Sequence, residues 1–240
     1  MTVARATADV PGAPSAGHPR WPGAQRQLPL TVFLLVSSYA FGAVVLGHDL
    51  IAGFVHLTAA HLCLTAALML WHHRGAARTA HRRDRLVLWS VVCGLVGWWA
   101  EYVGVHFGFL FGAYRYGDVL GPAWQAIPVV MAVNWVVVVY AVCATLSTLL
   151  PRVPAVAKTL LAALALVALD YLIEPVAIGL GFWIWDDGEP PLQNFLGWGA
   201  VGLLQAGIFY ALLPTARNPV APLVLILQVA FFTYLSIVSA

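Results

Sequence analysis

Three carboxylic acids lie in stretches otherwise apolar enough to sit in lipid. Glu101 falls in GLVGWWAEYVGVHFGFLFG, residues 94–112, and Asp170 and Glu174 fall in ALDYLIEPVAIGLGFWIW, residues 168–185. At helical spacing Gly94, Gly97, Glu101, Gly104 and Gly108 share one face, and Asp170 and Glu174 are one turn apart on another. Pro175 follows Glu174 and removes a helical N–H, which frees the carbonyl of Tyr171. An ionisable group inside a membrane segment is a functional-site hypothesis by default. No lysine or arginine lies at the same depth, so these acids hold protons, share them or line a wet cavity. A buried carboxylic acid can protonate an electron-rich alkene, and the cation that forms needs π-faces and carboxylates around it.

The elements that position these acids are helices. The chain has 240 residues, of which 61% are hydrophobic and 9% charged, far below the roughly 25% charged content of a soluble domain. An all-α, polytopic membrane fold is expected. Seven apolar runs near the roughly 20 residues a bilayer needs lie at about 28–47, 50–72, 86–110, 123–150, 155–180, 194–213 and 219–239. They form a transmembrane domain over 28–240. Residues 1–27, rich in Pro, Ala and Gly, read as a disordered tail. Cys63, Cys93 and Cys143 occur singly in apolar segments and read as small core residues.

Basic residues set an expected orientation. Alternate loops, with the N-terminal stretch, collect every Arg and the single Lys on one side except Arg115. The positive-inside rule then places the N-terminus in the cytoplasm and the C-terminus outside the cell membrane. The opposite side carries Asp49, Asp118, Asp186, Asp187 and Glu189 and a dense set of aromatic residues. At a rise of about 1.5 Å per residue, Glu101, Asn134 and Asp170 lie roughly 14–16 Å from that side, as do His61, Gln205 and Gln228. Interhelical hydrogen bonding accounts for Asn134, Gln205 and Gln228 better than for three carboxyls in two helices.

Four chemistries compete for these features. A retinal protein needs a lysine deep in a helix, and Lys158 sits at a helix end. A histidine-box membrane oxygenase finds too few ligands in His56, His61, His72 and His73, so no metal site is expected. A proton-coupled transporter fits midplane acids and the prolines Pro128 and Pro175, but no internal repeat is visible. Acid catalysis on a lipophilic molecule dissolved in the membrane uses every unusual feature at once.

The segment GWWAEYVGVHFGFLFGAYRYGDVLGPAWQAIPVVMAVNW, the segment ALDYLIEPVAIGLGFWIW and the motif PPLQNFLGW together resemble the CruF-type carotenoid hydratases. The resemblance covers about residues 86–210, in matching order. It rests on the combination of E-x-x-G, FG-x-Y-x-Y, D-x-x-x-[DE]-P and NF-x-GW. Two departures are Glu174 where many relatives carry Asp, and an abbreviated stretch at Asp186–Pro191. The resemblance implies addition of water to the terminal 1,2 double bond of an acyclic carotenoid end, in lycopene, γ-carotene or a C50 bacterioruberin precursor, without a cofactor. Implied partners are the membrane-dissolved carotenoid, the bilayer and other carotenoid-pathway enzymes, and no nucleic acid. Asp170 or Glu101 would deliver the proton, and Glu174 would orient and deprotonate water. Trp98, Tyr114, Trp135 and Trp183 would stabilise the cation. The glycines would form either a seam against helix 5 or, near Gly104 and Gly108, a slot for the polyene, flanked by Phe111, Tyr116, Asn134, Trp185, Asn194 and Trp198.

Overall fold

The computed structural model describes residues 22–73 and 81–238. Seven helices are α1 (Pro22–Gly47), α2 (Thr58–Trp71), α3 (His81–Phe107), α4 (Val130–Leu149), α5 (Ala155–Gly179), α6 (Leu192–Leu212) and α7 (Ala221–Val238). With the 3-10 turn Phe54–Leu57 added to α2, all seven are long and apolar enough to cross a membrane. The expected tail falls mostly outside the described residues, and its last positions, from Pro22, form the first turns of α1.

The fourth helix is the axis of the bundle. Every residue from Trp135 to Thr145 is buried, as expected of a segment apolar on all sides. Around it α5 and α6 pack closely on each other, α3 packs on α4 and α6, and α1 packs on α7. Outer faces present Phe33, Phe41, Leu164 and Ile226, which is what a lipid-facing surface requires.

Two short hairpin-like pairs were not expected from the sequence. Strand β1 (Tyr114–Tyr116) pairs antiparallel with β4 (Trp183–Trp185), and β2 (Ala123–Trp124) pairs with β3 (Ile127–Pro128). The fourth span therefore starts at Val130 rather than near 123, because residues 123–128 turn back on themselves. The third ends at Phe107, where Gly108 adopts the left-handed conformation (φ +61°) that closes a helix.

Candidate active site

The β1–β4 ribbon assembles the site. In β1 the side chains of Tyr114 and Tyr116 turn inward while Arg115 is exposed; in β4 Trp183 and Trp185 turn inward while Ile184 is exposed. The register places Tyr114 opposite Trp185 and Tyr116 opposite Trp183. Two tyrosines and two tryptophans thus form one face, which lies on the ends of α3 and α5.

That face meets the acids. Glu101 is buried, and its Oε2 accepts from the hydroxyls of Tyr114 and of Tyr116, the latter at 2.7 Å. Its Oε1 accepts from the indole Nε1 of Trp135 at 2.9 Å. Burial first, and the Glu101 charge second, push both phenols well above their ordinary range, so both remain donors. Across the site, Glu174 Oε2 accepts from the indoles of Trp183 and Trp185, each at 3.0 Å. Asn194, in the first turn of α6, donates through one nitrogen to Asp170 Oδ2 at 2.7 Å and to Glu174 Oε1 at 3.1 Å. Of the six carboxyl oxygens, Asp170 Oδ1 alone has no hydrogen-bond partner among the described residues. Every partner of the three acids is a neutral N–H or O–H.

Aromatic rings enclose the cluster. Trp198 stacks on Trp135 with centroids 4.4 Å apart, Phe111 lies over Trp135 at 6.5 Å, and Tyr114 meets Trp185 at 5.0 Å. The glycine stripe explains how such bulk fits. A Cβ on Gly97 would overlap the ring of Trp135, and one on Gly104 would stand 2.9 Å from Phe111 and 3.0 Å from Tyr114. From Gly94 to Gly104 the stripe is therefore a seam against α4 and the Phe111–Tyr114 segment rather than against α5, and Gly108 faces open space.

The expected site residues separate accordingly. Glu101, Asp170, Glu174, Phe111, Tyr114, Tyr116, Trp135, Trp183, Trp185, Asn194 and Trp198 come together. Trp98 does not join them. It stacks on Trp124 at 4.7 Å, on another side of α3. Gly104 seats the tyrosine, and Gly108 ends the helix with open space beside it. Six polar groups expected at one depth also part company. Gln205 donates to the carbonyl of Cys93 at 3.0 Å, joining α6 to α3, whereas His61, Asn134 and Gln228 line a cavity. The histidines are engaged separately, His61 with Ser38 at 3.1 Å, His72 with Thr31 at 2.8 Å and His73 with Tyr140 at 2.5 Å. Among the described residues no three His, Cys, Asp or Glu side chains come close enough together to hold a metal ion.

The cavity, of about 340 Å³, lies between α1, α2, α4 and α7 and ends against Ile173, Trp183 and Trp198. Sequence reasoning did not find its outer walls. Apart from His61, which its depth singles out, those walls are ordinary membrane-helix residues, and Gly42 in α1 is a small signal of a recess.

Residues 53–240 match the family of carotenoid biosynthesis proteins, and the chain belongs to that family. A curated relative, bisanhydrobacterioruberin hydratase from Haloarcula japonica, is 34% identical over 132 residues. The match covers 51% of this chain and 44% of the relative, less than half of the relative's length. No solved structure matches the chain.

Proposed function

We propose that this protein is a carotenoid hydratase that adds water across the terminal 1,2 double bond of an acyclic carotenoid end. Family membership and the likeness to a hydratase support the reaction class. The observation that carries the mechanism is the unpartnered Oδ1 of Asp170, buried beside two carboxyls whose every oxygen accepts a hydrogen bond. Glu101 and Glu174 are surrounded by donors alone, which suits carboxylates, since an ionised carboxyl is acceptor-only. Asp170 has an oxygen free to carry a proton.

Asp170 delivers that proton to C2 of the end group, and a tertiary cation forms at C1. The indole faces of Trp183 and Trp198 and the charge of Glu101 stabilise it. Water bonds to C1 and gives its surplus proton to Glu174. That proton returns to Asp170 across the pair bridged by Asn194, which restores the starting state. One hydrogen and one hydroxyl have been added, and no electron has left the system. General acid–base help supplies about 10²–10⁴-fold per step. The aromatic enclosure is there to supply much of the remainder. In this reading the ribbon end of the bundle faces away from the cytoplasm.

The test is expression in bacteria that accumulate lycopene, γ-carotene or bisanhydrobacterioruberin, followed by pigment extraction and mass spectrometry. A product heavier by one water is expected from at least one of them. Unchanged pigment in all three strains, with the protein present in the membrane, refutes the proposal.

A further inference from the structure

The hydratase reading leaves open how a long hydrocarbon reaches acids that are wholly enclosed. The cavity beside them has the required properties. Its inner end touches the site through three side chains. Trp183 donates to Glu174, Trp198 stacks on the Trp135 that donates to Glu101, and Ile173 precedes Glu174 in the chain. Its outer rim includes Phe41, Leu57 and Leu64, which are 56%, 54% and 41% exposed on the surface that lipid covers. The opening therefore gives onto hydrocarbon, not water.

The chain explains why a gap exists there. Helix α2 begins only at Thr58, and opposite the last turns of α1, from Phe41, which meets Phe54 at 5.6 Å, the chain offers a single 3-10 turn in place of a full helix. Polar groups in the outer part are already engaged. Ser38 and His61 bond each other, and the Thr58 hydroxyl donates to the carbonyl of Val55 at 2.6 Å. What remains for a ligand is mostly carbon surface. A volume of about 340 Å³ is at the small end of ligand pockets, enough for the end of an isoprenoid chain while the rest stays in the bilayer.

We infer that an acyclic isoprenoid hydrocarbon enters this cavity end-first from the bilayer, between α1 and the start of α2, and that Gly42 keeps the passage open. The inference rests on the proposed function for its ligand class. Gly42 lines the cavity, and a Cβ placed there would stand 3.6 Å from Phe231 and 3.9 Å from Phe54. A methyl group fits at ordinary contact distance, whereas a phenyl ring would fill the passage. Replacing a helical glycine also favours the helix itself, so the fold should tolerate the change.

The experiment purifies the protein from lycopene-accumulating bacteria and measures lycopene and any hydrated product retained per protein, with the melting temperature as a fold control. Wild type and Gly42→Ala should retain lycopene alike. Gly42→Phe should retain at least tenfold less at an unchanged melting temperature. Ala60→Phe, which blocks the same cavity from α2, should behave likewise and decides the matter if Gly42→Phe fails to fold. Retention equal to wild type in the blocking variants, or no retention by wild type, overturns the inference. Retention that Gly42→Phe abolishes upholds the entry route even where wild type forms no hydrated product, because the hydratase reading falls only when pigment stays unchanged in all three strains.

Discussion

Glu101 and Asp170 are both buried acids, yet their surroundings demand opposite responses to the same isosteric change. In Glu101→Gln the amide oxygen can still accept from Tyr114 and Tyr116. The new NH₂ group then faces the N–H of Trp135, which now donates at 2.9 Å. One hydrogen bond to a charged group is lost, about 1.5–3 kcal/mol, and a buried indole N–H is left unpaired, about 1–3 kcal/mol more. A loss of roughly 4 kcal/mol should lower the melting temperature by about 10 °C for a chain of this size. In Asp170→Asn the amide oxygen keeps the 2.7 Å bond from Asn194, and the NH₂ takes the place of Oδ1, which has no partner to lose. The stability cost should be about 1 kcal/mol, while turnover should fall about 10²–10⁴-fold with the loss of the acid. Thermal melts of detergent-purified protein, paired with product quantified by mass spectrometry, separate the two. If Glu101→Gln melts with wild type, Glu101 is not the anion that three donors imply. If Asp170→Asn still turns over, Asp170 is not the acid and the mechanism fails.

Three further outcomes follow from the same geometry. Tyr114 and Tyr116 are held above the ordinary phenol value of 10; the unfolded chain loses those protons first, so stability should decline as pH rises past about 10, and the Tyr114→Phe/Tyr116→Phe double variant should flatten that alkaline limb in melts across pH. Gly97→Ala should destabilise by about 1–3 kcal/mol and reduce turnover, because the ring of Trp135 has to move off Glu101. In Gly94→Ala the nearest atoms are the carbonyl oxygen and Cβ of Ala132, at 3.3 and 3.4 Å, and the variant should stay within about 1 kcal/mol of wild type, so equal losses in the two variants would refute the α3–α4 seam. Gln205→Met removes the bond to the Cys93 carbonyl together with an unpartnered Oε1, and should change stability by about 1 kcal/mol or less with turnover intact.

The acids were legible in the sequence because charge in an apolar run is rare and costly. Asp170 and Glu174 were legible as a pair because helical spacing alone puts them on one face. Depth, however, fixes one coordinate only. Gln205 is turned toward Cys93 by the packing of α6 on α3, and nothing in its neighbours announces that turn. The valine-rich α4 hides its orientation for a related reason. A helix apolar on every side carries no stripe to show that Trp135 points at Glu101. The ribbon was hidden by size, since each strand has three residues and its partner lies some seventy positions away. Its trace in the sequence is the alternation of Tyr114-Arg115-Tyr116 and Trp183-Ile184-Trp185, too short to stand out against helical segments on both sides.

What the fold adds is a reason for tryptophan in particular at the boundary between acid and hydrocarbon. On the proposed reading, a wall there has to present carbon to a lipophilic ligand and N–H groups to carboxylates that have no cation beside them. Leucine would leave the acids unpaired, and serine would wet the cavity. Trp183 does both, lining the cavity while its Nε1 holds Glu174. Trp135 holds Glu101 in the same way, and its ring is stacked against Trp198, which lines the cavity in its place. The aromatic density at the ribbon end is thus greater than an interfacial belt requires because these rings serve two solvents at once. On the proposed reading, a substrate that reaches the acids through this cavity passes indole faces, surfaces suited to stabilise a cation formed there.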